Sequence, residues 1–184
     1  MFEILETPIA GLQTVVGKVL GDARGTFARL FCEDSLSALL GGRHIVQINR
    51  SVTHKIGAVR GMHFQRPPHT EMKLVRCLRG RVFDVAIDLR RDSPTFLSWH
   101  GVQLSGDTSL MFVIPEGFAH GFQVLEQDSE LLYLHTAAYA PSAEDAIAYN
   151  DPRVAITWPN TVTEISARDQ NHPNLTNFFQ GLIV

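Results

Sequence analysis

The chain has 184 residues, a formal net charge of −3, 45% hydrophobic residues, two cysteines and nine prolines. That length holds one domain with a core of its own over residues 1–184, and a charged fraction of 19% excludes disorder. Two cysteines without CxxC spacing exclude a disulfide scaffold and point to a reducing cytoplasm, and the slightly acidic balance leaves no nucleic-acid footprint.

Residues 1–12 carry acids and no early Lys or Arg, so they read as neither a signal nor a transit peptide. No later apolar run reaches the roughly 20 residues of a membrane helix, so no membrane is expected as a partner. Thr14-Val15-Val16 and residues 27–31 read as N-terminal segments able to pair across a dimer. Asp34-Ser35 predicts the cap of a short helix that runs to Leu40 and stops at Gly41-Gly42. In residues 60–65, alternation places Arg60 and Met62 on one face and His63 and Gln65 on the other, with Gly61 open to a twist or bulge. Residues 72–78 and 81–89 read as a hairpin across Arg79-Gly80, the second arm alternating with a period of two. Residues 112–114, 121–125 and 130–135 read as further strands, and the stretch after Pro141 as loops and short turns over the sheet. Gly and Pro punctuate these runs about every ten residues, the spacing of a sandwich or barrel of short strands. The predicted class is all-β.

Paired residues of an antiparallel hairpin share a face, which puts Lys73 and Asp84 together with Val75, Cys77, Val82 and Ala86. A lysine and an aspartate on a small apolar face are either a buried ion pair or groups lining a ligand cavity. Polar groups also gather in Arg60-Gly61-Met62-His63-Phe64-Gln65 and in residues 115–122. The Pro115, Gly117 and His120 spacing matches the second half of the cupin signature, which belongs to small jelly rolls. Its first half, a His-x-His followed by Glu, is missing: Gln65 stands two residues after His63. His69 and Glu71 lie beyond Pro67-Pro68 in a predicted loop, so no metal is expected.

A longer ordered pattern carries more. Asp22-Ala-Arg24-Gly25-Thr-Phe27, Gln47-Ile-Asn49-Arg-Ser51, Arg60-Gly-Met-His63-Phe-Gln65, Lys73-Leu-Val and Gly80-Arg-Val-Phe-Asp84-Val-Ala-Ile-Asp88 follow in sequence. After them come Ser93-Pro-Thr-Phe, Ile114-Pro-Glu-Gly-Phe-Ala-His120-Gly-Phe, Asn150-Asp-Pro, Trp158-Pro and Ile165-Ser-Ala-Arg-Asp169. Together they resemble the dTDP-4-dehydrorhamnose 3,5-epimerase family from about Asp22 to Asp169. The resemblance implies a cupin-like jelly roll with short peripheral helices, no cofactor and no metal.

It also implies a nucleotide-diphosphate 4-keto-6-deoxysugar as substrate, epimerised at C3, C5 or both, and a homodimer whose partner contributes to the nucleotide site. His63 matches the family's base and Asp169 the carboxylate that orients it, with Asp84 the local rival for that support. Lys73 matches the group beside the ketone oxygen, and Tyr133 the acid on the opposite face. Arg24 and Arg60 resemble diphosphate clamps, and Phe27, Gln47, Asn49, His120 and Glu144 resemble substrate-binding residues. Four positions depart from the pattern: Arg29 where Glu is common, Ile48 where a polar residue is usual, and Ala137-Ala138 where polar and aromatic residues stand. Two rival readings use the same jelly roll. One is a non-catalytic sugar-nucleotide binder, and the other a metal-dependent cupin isomerase or dioxygenase.

Overall fold

A computed structural model describes residues 2–184. The first strands are β1 (Phe2–Glu6), β2 (Gln13–Gly17), β3 (Val19–Asp22) and β4 (Gly25–Ala28). A 3-10 turn over Asp34–Leu36 and α1 (Ser37–Leu40) lead to β5 (Gln47–Thr53), β6 (Ala58–Gln65), β7 (Lys73–Arg79) and β8 (Arg81–Asp88). Next come β9 (Trp99–Ser105), β10 (Leu110–Ile114), β11 (Phe118–Val124) and β12 (Ser129–His135). The chain ends with β13 (Glu144–Ala146), β14 (Glu164–Ile165) and α2 (Ala167–Gln170). None of these helices is long and apolar enough to cross a membrane.

Two antiparallel sheets face each other, in the orders β1-β2-β10-β7-β12-β5 and β13-β6-β11-β8-β9, and β14 adds to β6 in parallel. The strands β3 and β4 form a separate two-stranded ribbon. This is the layered all-β architecture that the turn spacing predicts. The helical turn before Gly41 also forms, and Gly41 closes it in the left-handed region at φ 58°, but neither Asp34 nor Ser35 caps it with its side chain.

The predicted hairpin does not form. Strand β7 pairs with β10 and β12 in the first sheet, whereas β8 pairs with β11 and β9 in the second. Between them Gly80, at φ 72°, turns the chain across the sandwich. A Cβ there would lie 2.9 Å from the Ser129 Cα, so only glycine lets the corner close. Ser129 Oγ accepts the Arg81 N–H at 3.0 Å and pins the turn. The face shared by Lys73 and Asp84 survives this change, because both strands turn the same residues into the interlayer space. Val75, Cys77, Val82 and Ala86 meet there in one buried cluster with Phe112 and Phe122.

Two further clusters explain why β7 and β8 are apolar on both faces. Leu36 and Leu40 cover the outer side of the first sheet against Val15, Leu74, Met111 and Leu134. Ile147, Val154 and Leu182 cover the second against Met62, Val85 and Ile87. Thr14-Val15-Val16 is likewise not an edge: β2 is hydrogen-bonded on both sides, by β1 and β10. The β3–β4 ribbon is exposed, with Leu20 and Phe27 in solvent, and so is the edge strand β1, with Ile4 and Leu5.

Candidate active site

The space between the sheets opens into a cavity of about 340 Å³. Strands of the first sheet present Asn49, Ser51, Lys73, Tyr133 and His135, and those of the second present Arg60, His63, Gln65 and His120.

A bulge decides which side chains of β6 reach it. His63 pairs with His120 and Arg60 with Phe122, so three steps along β6 match two along β11. Gly61 sits in the bulge at φ 136°, where a Cβ would lie 2.6 Å from the Gly121 Cα. The extra residue reverses the predicted alternation. Arg60 faces the cavity with His63, and Met62 points into the outer cluster with Phe64.

His63 Nε2–H donates to Asp169 Oδ1 at 2.8 Å. Helix α2 places that carboxylate. Ser166 caps it by accepting the Asp169 N–H at 3.0 Å, and the Gly61 N–H donates to Asp169 Oδ2 at 3.3 Å. Burial pushes the Asp169 carboxyl up, but the His63 hydrogen bond and charge, the Gly61 N–H and His172 outweigh it and hold it below the ordinary value. An ionised Asp169 leaves the other ring nitrogen of His63, Nδ1, free to take a proton. His172 Nε2 also reaches Asp169 Oδ1, at 3.2 Å, a contact the sequence reading does not anticipate. His63, Asp169 and His172 bring three ligand-type atoms within 4.8 Å of one another. They could hold a divalent ion only by giving up both hydrogen bonds to the carboxylate.

Lys73, buried on the facing wall, sends Nζ to Glu71 Oε1 at 3.2 Å and to the His63 carbonyl at 3.4 Å. Its ammonium therefore spans the two sheets. Glu71 is half of a second imidazole–carboxylate pair, accepting His135 Nδ1–H at 2.7 Å. Burial pushes the Glu71 carboxyl up, yet the His135 hydrogen bond and the Lys73 charge prevail and keep it ionised. Glu71 lies in the loop that the sequence predicts, two residues before β7 begins, whereas the sequence reading does not anticipate His135. The signal was the i, i+2 spacing Tyr133–His135, which puts both side chains on one side of β12.

Tyr133 lies between the two histidines of its surroundings. Its ring meets His120 edge-on at 6.1 Å and stacks on His135 at 6.2 Å and 21°. The phenol shares a 3.0 Å hydrogen bond with Ser51 Oγ, and burial pushes its pKa up, so it stays protonated at neutral pH. His120 Nε2 and Asp84 Oδ1 lie 2.8 Å apart, both side chains buried. Burial raises the Asp84 carboxyl despite the charges of His120 and Lys73, and its Oδ2 has no hydrogen-bond partner among the described residues. Asp84 thus supports His120, and Asp169 supports His63.

The remaining expected residues divide by place. Arg60 Nε–H donates to Thr53 Oγ1 at 2.9 Å at the cavity wall. Asn49 Nδ2 is 3.3 Å from His135 Nε2, and Glu144 accepts the Tyr139 hydroxyl at 2.7 Å at the rim. Gln47 holds the Tyr139 N–H through Oε1 at 3.0 Å, behind the cavity lining. Arg24 pairs with Asp22 at 2.6 Å on the exposed ribbon, beside Phe27, and neither lines the cavity of its own chain.

A sandwich with an imidazole–carboxylate pair on one wall and an ammonium and a phenol on the other defines a cupin-like jelly-roll enzyme of the acid–base type. The chain belongs to the dTDP-4-dehydrorhamnose 3,5-epimerase family, whose profile matches residues 6–177. It is 42% identical over 177 residues to the dTDP-4-dehydrorhamnose 3,5-epimerase of Salmonella typhimurium, covering 95% of this chain and 96% of that one. A dTDP-6-deoxy-D-glucose-3,5-epimerase from Legionella pneumophila, solved with dTDP-4-keto-L-rhamnose, superposes with a TM-score of 0.90 at 41% identity, covering 95% of this chain and 93% of that one. The Bacillus anthracis enzyme, with TDP and pyrophosphate bound, gives 0.91 at 34% identity over 95% of this chain and all of that one.

Proposed function

We propose that this chain epimerises a nucleotide-diphosphate 4-keto-6-deoxyhexose of the dTDP-4-dehydro-6-deoxyglucose type, at C3, C5 or both. The observation that carries the reading is the placement of His63 and Tyr133 on opposite sheets around one cavity, with the Lys73 ammonium reaching the His63 carbonyl. The C4 ketone acidifies the hydrogens on its two neighbouring carbons. His63, fixed through Nε2 by Asp169, takes such a proton on Nδ1, and Asp169 balances the imidazolium charge. Lys73, itself buried, holds the negative charge that develops on the ketone oxygen. Tyr133 then delivers its proton to the opposite face, which inverts the carbon. No step calls on a cofactor.

Arg60 at the cavity wall meets the diphosphate, since a guanidinium fork suits paired phosphate oxygens. His120, Asn49 and Glu144 contact sugar or nucleotide. Arg24, Phe27 and Gln47 lie off the lining of their own chain, which supports a homodimer in which each exposed ribbon reaches the neighbouring cavity. Phe27, exposed at 67%, then gains an apolar partner. The composition fits a cytoplasmic enzyme acting on a small molecule, with no nucleic-acid or membrane partner.

The test is solvent exchange. Protein dialysed against a chelator and given the dTDP-4-keto sugar in deuterated water should incorporate deuterium beside the ketone, and His63→Asn should abolish it. A binder would bind the sugar nucleotide without exchange, and a metal-dependent cupin would lose activity on dialysis.

A further inference from the structure

Tyr133 is not the sole proton-carrying side chain on its wall. His135 follows two residues later on β12, points to the same side, and lines the same cavity. The two tips run as parallel rungs toward β5: the Tyr133 hydroxyl meets Ser51 Oγ at 3.0 Å, and His135 Nε2 meets Asn49 Nδ2 at 3.3 Å. Behind His135, the Glu71 carboxylate takes Nδ1–H at 2.7 Å and also pairs with Lys73 at 3.2 Å. The imidazole is thus anchored through Nδ1, while Nε2 sits at the cavity lining against Asn49, itself a lining residue. A turn of the isosteric Asn49 amide lets that nitrogen carry a proton, since Oδ1 then accepts Nε2–H.

The substrate class has two acidic carbons, one on each side of the ketone. Tyr133 is confined between the rings of His120 and His135 with its hydroxyl on Ser51, which suits it to one of them. The His63 side chain, one-third exposed, has room to address both. We propose that the His135–Glu71 pair is a second proton-donor site, delivering a proton to the carbon beside the ketone that Tyr133 does not serve. This rests on the epimerase reading above.

The step balances without a co-reactant. The Nε2–H bond of His135 breaks and leaves its electron pair on nitrogen. The enolate's carbon–carbon π pair forms the new C–H bond, and the ketone is restored. The imidazolium becomes a neutral imidazole, and cavity water carries back to it a proton equivalent to the one His63 took up and releases, so both histidines return to their starting states.

The experiment follows deuterium and configuration at C3 and C5 separately, by NMR in deuterated water, with the dTDP-4-keto-6-deoxy sugar as probe. His135→Gln should lose inversion at one carbon by about 10²–10⁴-fold while the other stays within about threefold, and Tyr133→Phe should show the complementary pattern. Glu71→Gln, which keeps the shape but not the charge, should weaken inversion at the same carbon as His135→Gln. If wild type inverts a single carbon, or if His135→Gln affects both carbons alike or neither, the second donor is overturned. A misfolded His135→Gln leaves Glu71→Gln to decide by the same criterion. Failure of the epimerase reading is separate and visible at once, as absence of any exchange in wild type.

Discussion

His63 Nε2 and Asp169 Oδ1 lie 2.8 Å apart although 106 residues separate them in the chain. The capped turn of α2 delivers the carboxylate to the bulge in β6, and the Gly61 N–H holds its second oxygen. Asp169→Asn keeps this shape but can offer an amide N–H to the ring, favouring the tautomer with its proton on the wrong nitrogen. Exchange at saturating substrate should fall by about 10²–10⁴-fold while KM moves little, measured as deuterium wash-in against substrate concentration.

Arg60 shares the cavity wall but has a different task. In the proposed role Arg60 makes charged hydrogen bonds to the diphosphate that are equal in ground and transition states, so in Arg60→Ala KM should rise about 10–100-fold. Exchange at saturation should stay within a few-fold. A loss at saturation equal to the loss in kcat/KM would place Arg60 in the chemistry instead.

Asp88 tests the scaffold rather than the site. It is fully buried and accepts hydrogen bonds from Arg90 Nε at 2.9 Å, Ser93 Oγ at 2.6 Å and Thr95 Oγ1 at 2.7 Å. Burial pushes its carboxyl up, but Arg90, Ser93 and Thr95 together hold it below the ordinary value. A lowered folded pKa means stability that is present above the unfolded value of about 3.9 and is lost as pH falls through the folded one. Asp88→Ala should cost about 2–4 kcal/mol at pH 7, since it strands Arg90, and the penalty should shrink below pH 4. Urea midpoints across pH read both.

The two thiols should separate by environment. Burial pushes the Cys77 thiol up to about 11, whereas the Ser35 hydrogen bond lowers that of the more accessible Cys32. Iodoacetamide at pH 8 should label Cys32 in the folded protein and reach Cys77 after denaturation, as mass spectrometry of peptides would report.

Much of this was readable beforehand, for identifiable reasons. Alternation in β8 and Gly/Pro spacing announce short strands, and the ordered pattern around His63, Lys73, His120 and Asp169 announces the family. Pairing is a different matter. A two-residue connection at Arg79-Gly80 suits a hairpin and a sandwich corner equally, and only the competing partners β10, β12, β11 and β9 decide between them. The facing of Lys73 and Asp84 came out right because both topologies turn the same residues inward. Arg60 did not, since the bulge exists only against Gly121 of another strand. The pairing of Glu71 with His135 is not legible in the sequence, because each gains its meaning from the other, 64 residues away.

The central claim is that abstraction and reprotonation belong to opposite walls, and Tyr133→Phe separates them. The phenyl ring keeps the packing against His120 and His135 but has no proton to give. His63 can still remove a proton, with Lys73 holding the enolate, and can return one from solvent to the face it came from. NMR of the sugar in deuterated water should therefore show deuterium entering with retention at the carbon Tyr133 serves, while inversion there falls by about 10²–10⁴-fold. Unchanged inversion at both carbons, or exchange lost in step with inversion, would contradict the account.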